Sequence, residues 1–537
     1  MFSRNEKLQR LCNETFDLLV IGGGATGAGI SLDAATRGLQ VALVEAGDFA
    51  SGTSSSSTKL IHGGVRYLES ALVNLDYQQI SLVIQSLKER YTILKIAPHL
   101  VRVIPIVIPV HSWFQAIYYL FGMKIYELLA GKKKIGRSSY LSTKKVMEAF
   151  PMITEKNLKG GVQLFDGQFD DARMNLSIIL KAEECGATVV NYMEAIELKI
   201  EAGNIKGVLV KDHISGKTFS VSSKVVVNAA GPLSDQVRRL DPSVTKTTLV
   251  GSIGSHIIID GKYTPLGKGL LIPKTNDGRV LFLLPWKNST LVGTTDISIE
   301  IARDPKPSEE EIKYLLDHIK RELGFEVKRD QIKSCWAGIR PLVSGKQVKT
   351  SLLFRGFKVM RDPSGMYSIL GGKWTSYRKM AEMILDEICE KIPQAKKCVT
   401  EDTLLFGGEG YFPGLSGKLC EMYGLEKDIA LNLSQSYGGK AEEVIKLSQS
   451  LKDGTKRLVE GYPYLQGEIA YGVRNEMACT ALDILHRRTR LADLDREAAC
   501  SAIPIVINSM AKELGWNQIR QNEELMNTYD DIKYSEL

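Results

Sequence analysis

Residues 16–45, FDLLVIGGGATGAGISLDAATRGLQVALVE, constrain the fold more than any other stretch. An apolar run over 16–21 has the composition of a buried strand. Gly22, Gly24 and Gly27 follow in G-x-G-x-x-G spacing, a helix-compatible stretch continues to Arg37, and Gly38 closes it. A second apolar run, Val41–Val44, ends on Glu45. Strand, glycine turn, helix and second strand in this order make a dinucleotide-binding βαβ unit. In such a unit Gly22 permits the tight turn and Gly24 lets the backbone approach a pyrophosphate. Gly27 lets helix and strand pack closely, with the helix N-terminus facing the phosphate charge. Glu45 is placed to accept hydrogen bonds from ribose hydroxyls, which disfavours a 2′-phosphorylated dinucleotide.

The chain around this unit is large enough for several cores. Its 537 residues, 44% hydrophobic and 24% charged, accommodate about two to four domains of ordinary size. The eight cysteines contain no C-x-x-C pair, and the seven histidines form no ligand cluster with them. This argues against zinc, an iron–sulfur centre or a disulfide framework, and for reduced thiols in a cytosolic chain; no metal is expected. The net charge of +7 fits an anionic substrate or an acidic membrane surface, and no nucleic-acid-binding motif accompanies it. The residues before the first strand include Glu6 and Glu14 and lack an apolar core, so neither a secretory signal nor a mitochondrial presequence is expected.

One segment bears on membranes. Residues 113–130, WFQAIYYLFGMKIYELLA, would reach ~27 Å as a helix. Lys124 and Glu127 interrupt it, and a spanning helix needs ~20 apolar residues. The basic run KKKIGR follows at 132–137. The pattern favours a helix lying in the membrane interface, with a buried internal helix as the competing reading and a true span as the least favoured.

Elsewhere, apolar residues recur at helical spacing over 76–95 until Pro98. Residues 101–110, VRVIPIVIPV, are β-like, but Pro105 and Pro109 assign them to an edge or extended path. A helix is expected from 172 to 185, stopped by Gly186, then strands near 188–190, 195–200 and 205–210 and a buried strand in VVVNAAGP (225–232). Residues 246–296 alternate strand signals with turns, as a mixed sheet does. YSILGGKW (367–374) gives a strand, a double-glycine turn and a helix start near Thr375, running to 392. A boundary near 393–405 precedes helices expected at 425–434, 440–452, 465–487 and 495–515, with about ten frayed residues at the end.

A further segment, ASGTSSSSTKLIHGGVRYLE (50–69), follows Glu45 at the strand-end crevice where open α/β sheets receive ligands. Together with IGGGATGAGI (21–30), DGQFDDAR (166–173), VVNAAGP (226–232), GSHIII (254–259), LVGTTD (291–296), AGIRPL (337–342) and GGKWTSYRK (371–379), it carries a family pattern. Over about residues 16–515 the chain resembles the FAD-dependent sn-glycerol-3-phosphate dehydrogenases, within the D-amino-acid-oxidase-like flavoproteins. YGVRNEMACTALDILHRRTRL (471–491) resembles the helical C-terminal domain of that family.

The resemblance implies an α/β chain in which a Rossmann-like FAD-binding domain is interleaved with a mixed-sheet substrate domain, plus a C-terminal all-helical domain. FAD-binding parts are expected at about 15–98, 160–240 and 365–395, substrate- or membrane-facing parts at about 99–159 and 241–364, and the helical domain at 396–537. Segments near 22, 226 and 371 are then expected to converge on one FAD. The cofactor-binding residues it implies are Gly22, Gly24, Gly27, Glu45, Thr53, Ser54, Ser55, Lys59, His62, Gly63, Asn228, Gly231, Gly372 and Thr375.

The implied reaction is oxidation of sn-glycerol 3-phosphate to dihydroxyacetone phosphate, with electrons passed to a membrane quinone. Oxygen as acceptor is the alternative, and an amino- or hydroxy-acid substrate or a flavin-binding scaffold are more distant rivals. No second G-x-G-x-x-G unit is present, which argues against NAD as acceptor. A phosphate monoester carries about −2, so its grip needs several cations, and guanidinium suits it bidentately. Arg66, Arg340 and Lys373 fill that role in the family pattern, Arg355 through a less distinctive stretch, and Tyr67 adds a hydroxyl. His256 is the candidate proton acceptor. Arg340 is the candidate stabiliser of a developing alkoxide, because arginine keeps its proton in proteins. A cytoplasmic protein, peripheral on the cytoplasmic face of a bacterial inner membrane, is the expected setting. A homodimer and the role of the C-terminal helices stay open.

Overall fold

The computed structural model describes residues 3–64, 77–153, 157–264, 267–275, 277–344, 356–390 and 392–534. Two β-sheets organise it. The first has a parallel core in the spatial order Tyr367–Gly371, Thr218–Asn228, Thr15–Ile21, Val41–Val44, Thr188–Val190. An antiparallel strand, Phe357–Arg361, lies at one edge, and Asn204–Asp212 with Met193–Glu201 forms an antiparallel arm off Thr218–Asn228. Helices Ala25–Thr36, Asp171–Glu184 and Tyr377–Cys389 share one core with this sheet. Val41–Val44 is buried throughout, and so are residues 18–21 of the first strand. Burial on both faces is why these strands read as continuous apolar runs.

Parallel register decides where the site lies. Ile21 pairs with Val44 on one side and Asn228 on the other, and Asn228 pairs in turn with Ser368. The carboxyl ends of four strands far apart in sequence therefore open at one edge. The glycine turn at 22, the turn at 229–231 and the double glycine at 371–372 stand side by side there, as expected for a switch-point crevice.

The second sheet is mixed. Its path runs Ile297–Ile299, Leu249–Asp260, Ser289–Gly293, Leu281–Trp286, Gly269–Ile272, Val101–Val110, Gly160–Phe169, Leu60–Ile61. Ser334–Val343 pairs along almost the whole of Leu249–Asp260. Helix Glu309–Leu323 packs into a core on this sheet, with Ser308 and Glu311 forming a capping box at its start. Leu60–Ile61 belongs to the second sheet although the preceding loop leaves the first, so residues 52–61 bridge the two.

Three sequence expectations need correction. Val101–Val110 is not an edge strand: Gly160–Phe169 pairs along its full length, and Gly269–Ile272 joins its other side. That second ladder covers only Ile106 and Val107, so the donor-less Pro105 and Pro109 flank it rather than occupy it. The helix expected over 465–487 is broken. Gly467–Glu476 ends at Met477 in the left-handed region (φ 56°), and Asp483 then caps a new start by accepting from the Cys479 and Thr480 amides at 2.7 and 3.0 Å. Where the tail is expected to fray, its described residues continue a helix, Gln518–Tyr534; residues 535–537 lie outside the described residues. Its Leu525, Tyr529 and Ile532 recur at helical spacing and pack into the core, with Ile532 buried.

The C-terminal helices do not stand apart from the second sheet. Tyr464, Ile469, Ile484, Ile503 and Val506 share one buried cluster with Ile104, Ile106, Trp286 and Trp336. Helices Leu415–Tyr423, Lys427–Tyr437 and Ala441–Ser450 form a smaller core of their own beside it.

Trp113–Ala130 is a helix, capped by Ser112, and it is apolar on two sides. Ala116, Met123, Tyr126 and Ala130 are buried. Trp113, Phe114, Ile117, Phe121 and Leu128 are each at least 60% exposed, which puts a row of large apolar side chains on the outside. No helix among the described residues is long and apolar enough to cross a membrane, so the spanning reading is overturned.

Candidate active site

The nucleotide end of the crevice is built from backbone. Gly22 sits at φ 109°, and a Cβ there would fall 2.7 Å from the Ala229 carbonyl oxygen. A Cβ on Gly27 would land on the Gly22 carbonyl. Gly24 caps the helix Ala25–Thr36, and the Ser54 hydroxyl accepts from the Ala25 amide at 2.9 Å. First-turn amides of such a helix have no intrahelical acceptor and face the crevice mouth. Glu45 stands at the end of its strand and accepts from the Gly23 amide at 2.6 Å and the Gly47 amide at 2.8 Å. Burial pushes its carboxyl above the usual range, while those two amides pull it back. Each carboxylate oxygen keeps a further lone pair for a hydroxyl donor.

Asn228 stabilises the neighbouring turn. Its amide donates to the Ser234 carbonyl at 2.9 Å, its oxygen accepts from the Ala230 amide at 3.1 Å, and Gly231 follows at φ 57°. On the third segment Gly372 adopts φ 99°, and the Trp374 indole donates to the Ser54 carbonyl at 2.8 Å. The Thr375 hydroxyl reaches the His62 carbonyl at 3.4 Å, and the Gly64 amide donates to His62 Nδ1 at 3.1 Å. A Cβ on Gly63 would collide with the Tyr126 hydroxyl and Leu87, so this glycine also serves packing.

Residues 53–59 tie these parts to the second sheet. Thr53 Oγ1 donates to the Ile339 carbonyl at 2.7 Å, and Thr58 Oγ1 lies 2.9 Å from His256 Nε2. Ser55 offers its carbonyl to Lys59 Nζ at 2.6 Å. Lys59 itself is fully buried, with its amine 2.8 Å from both oxygens of Asp171 and near the faces of Trp286 and Trp336. Burial and then Arg490 lower its pKa to about 8. The structure thus turns Lys59 beneath the loop, where it braces the loop from inside.

His256 and Arg340 come from two paired strands, in which His256 faces Trp336 and Arg340 faces Ser252. Each lies over a glycine. A Cβ on Gly293 would strike the His256 ring, and one on Gly254 would strike the Arg340 guanidinium. His256 is buried and stacked on Trp336 with centroids 5.5 Å apart. Its Nδ1 has no hydrogen-bond partner among the described residues. Burial foremost, then Arg340 and Lys59, hold its pKa well below the ordinary value, so the ring is neutral at neutral pH. Arg340 donates to Thr294 Oγ1 at 2.9 Å and to the Thr295 and Ile253 carbonyls at 3.3 Å, with Asp296 3.8 Å away. Lys373 precedes Trp374 at the mouth of the third segment. Arg66, Tyr67 and Arg355 lie outside the described residues.

Several supports were invisible to pattern reading. Asp171 accepts from the amide and hydroxyl of Ser57 at 3.0 and 2.7 Å, besides holding Lys59. Glu311 joins its capping box to the site by accepting from Ser255 Oγ at 2.8 Å. Asn175 donates to the Gly23 carbonyl at 2.9 Å. Only Asp171 lay within a quoted motif, DGQFDDAR, where the repeated carboxylates beside a buried strand signal a buried partner cation.

The fold and this crevice define a flavoprotein. Residues 17–378 match the family model of FAD dependent oxidoreductases, and residues 398–521 match that of the C-terminal domain of alpha-glycerophosphate oxidase. A probable mitochondrial glycerol-3-phosphate dehydrogenase of Dictyostelium discoideum is 45% identical over 536 residues, covering 96% of this chain and 84% of its own. The mitochondrial glycerol-3-phosphate dehydrogenase of Mus musculus is 44% identical over 538 residues, covering 97% and 74%. The solved structure of the glycerol-3-phosphate dehydrogenase from Bacillus halodurans complexed with FAD superposes with a TM-score of 0.82 at 30% identity, covering 99% of this chain and 98% of that one. The chain belongs to the FAD-dependent oxidoreductase family, in its glycerol-3-phosphate dehydrogenase branch, and its cofactor is FAD. The residues present fit that group: a Cβ-free turn leaves room for a pyrophosphate, Glu45 has acceptors that would suit a ribose, and four strands open on one crevice.

Proposed function

We propose that this chain oxidises sn-glycerol 3-phosphate to dihydroxyacetone phosphate and delivers the electrons to a quinone at a membrane surface. The observation that carries this reading is the meeting of a buried neutral imidazole, with no partner at Nδ1 among the described residues, and a guanidinium beside the loop that bridges both sheets. Near-full-length similarity to proteins named glycerol-3-phosphate dehydrogenase supports the substrate. Gly22, Gly24, Gly27 and Glu45 hold the adenosine diphosphate half of the cofactor, with Thr53, Ser54, Ser55, His62, Asn228, Gly231, Gly372 and Thr375 along the rest.

Bound FAD supplies the two-electron acceptor for the hydride that leaves the alcohol carbon. The protein's residues manage charge and protons. In the tautomer protonated at Nε2, in which Nε2 donates to Thr58 Oγ1, the ring lone pair sits on Nδ1, and that atom accepts the proton of the 2-hydroxyl as the carbonyl forms. Because His256 is neutral beforehand, it has no proton to shed first. Arg340 remains charged and stabilises negative charge growing on the substrate oxygen. Arg66, Tyr67, Arg355 and Lys373 take the phosphate. Arrival of that dianion also offsets Arg340, which raises the basicity of His256 when substrate is present.

The outward apolar face of Trp113–Ala130, followed by the exposed Lys132, Lys134 and Arg137, supports docking in the interface of an anionic membrane, where quinone resides. The cytoplasmic face of a bacterial inner membrane is the proposed location. The test is anaerobic bleaching of the flavin by glycerol 3-phosphate, followed by reoxidation with a quinone in anionic vesicles or with oxygen. Bleaching with fast quinone reoxidation is expected. Peroxide released at the rate of turnover would reassign the acceptor to oxygen, and bleaching by amino or hydroxy acids but not by glycerol 3-phosphate would overturn the substrate.

A further inference from the structure

The run His486–Arg490 in the C-terminal helical region carries three arginines whose partners include, besides Glu476, Asp483, His486 and Asp493 of that region, the two loops of the cofactor crevice. Arg487 Nε donates to Asp48 Oδ2 at 2.6 Å, and Arg488 grips both Asp48 oxygens at 2.6 and 3.0 Å. Asp48 is buried and also accepts from Asn191 at 3.0 Å. It lies three residues after Glu45, in a loop whose Gly47 amide holds the Glu45 carboxylate and whose Ala50 amide donates to Gly23. Arg490 reaches the other loop. It donates to the Ser55 carbonyl at 3.0 Å and lies 3.3 Å from Asp171, the carboxylate that pins Ser57 and Lys59.

These contacts differ from ordinary domain cement. Charge-assisted bonds to a buried carboxylate are strong and directional, so they fix a loop's position and not only its burial. Here they converge on the two segments that flank the cofactor crevice. A third contact points the same way: Arg173, on the helix whose Asn175 holds the Gly23 carbonyl, pairs at 2.8 Å with Glu476 of the C-terminal region.

We propose that the C-terminal helical region completes the cofactor cradle: Arg487 and Arg488 through Asp48, and Arg490 through Ser55 and Asp171, are positioning residues for FAD, so that FAD binding and docking of residues 483–494 are thermodynamically coupled. The coupling needs only the cofactor, whatever the substrate. By reciprocity, FAD then holds this segment down as much as the segment favours FAD.

The test uses the full-length chain. Amide hydrogen exchange with and without FAD should show extra protection of 483–494 relative to 415–450, which packs in its own core. In Arg487→Met, Arg488 still covers Asp48; the dissociation constant for FAD, read from flavin fluorescence, should rise about tenfold, and that for ADP as a probe of the nucleotide end should rise with it. Arg487→Lys should recover most of the loss. Equal protection of the two segments, the signature of global stabilisation alone, overturns the proposal even if the variant fails to fold. Unchanged FAD affinity in a folded Arg487→Met overturns it as well.

Discussion

The two ends of the crevice are made in different ways. At the nucleotide end the parts lie within 30 residues and consist of backbone: glycine turns, helix amides and one carboxylate held by two amides. At the substrate end, Thr58, His256, Arg340 and Lys373 arrive from separate segments, held by strand register and by side chains such as Asp171 and Glu311. The nucleotide end has little tolerance for added volume at Gly22 and Gly27, because a Cβ on either meets a backbone carbonyl. The substrate end depends on donor geometry as well as charge, because its function rests on a neutral ring beside a guanidinium that spans three acceptors.

The sharpest break in this contrast is Gly27→Ala. Its methyl must displace the Gly22 carbonyl, for a loss of about 3 kcal/mol or more. The purified variant should carry almost no flavin by absorbance ratio, and retention of full flavin would show that this end yields more than its geometry suggests. Arg340→Lys should do the opposite: flavin content unchanged, with kcat/KM lower by about 100-fold, because an ammonium cannot span Thr294, Thr295 and Ile253 as the guanidinium does. His256→Gln should slow anaerobic flavin reduction about 100-fold with FAD still bound. In the wild type, the acid limb of kcat/KM, which reports the free enzyme, should fall well below pH 6.5, since the ring resists protonation.

The smallest effect concerns the C-terminal segment 483–494. His486 lies 2.9 Å from Asp493 and 3.4 Å from Asp531; despite burial, these carboxylates raise its pKa to about 9. A histidine whose folded pKa is raised adds stability in full below its unfolded value of about 6.5, and that stability is lost as pH rises through the folded value. The melting temperature should therefore decline between pH 6.5 and about 9, and His486→Gln should flatten that decline. The buried, neutral His256 acts in the other direction, since the unfolded chain takes up a proton below about pH 6.5 that the folded ring refuses.

Legibility in the sequence followed the range of the interactions. Val41–Val44, Thr188–Val190 and Asp171–Glu184 were readable because strand burial and helix stops are encoded in adjacent residues. The break at Met477 was not, since a non-glycine residue in a left-handed cap leaves the apolar pattern intact while the Asp483 side chain redirects the chain. Pro105 and Pro109 suggested an edge because the pattern shows missing donors but not how short the neighbouring ladder is. Lys59 sits in a cofactor-like loop, but its amine is directed by Asp171, 112 residues away. His256 and Arg340 stood out through family resemblance rather than through periodicity.

Residues 16–45 alone dictate a nucleotide-binding turn, because a strand, a Cβ-free bend and a helix start act within bonding distance along the chain. The sequence also dictates which stretches are apolar enough to be strands, since burial is read residue by residue. Tertiary structure decided the rest. Parallel register placed Ile21, Val44, Asn228 and Ser368 abreast, and the pairing of two strands distant in sequence set His256 beside Trp336. Arginines more than 430 residues downstream came to hold the loops at Asp48 and Ser55. Charge and burial act through space, so a depressed imidazole or a buried ion pair exists only once the chain has closed around it.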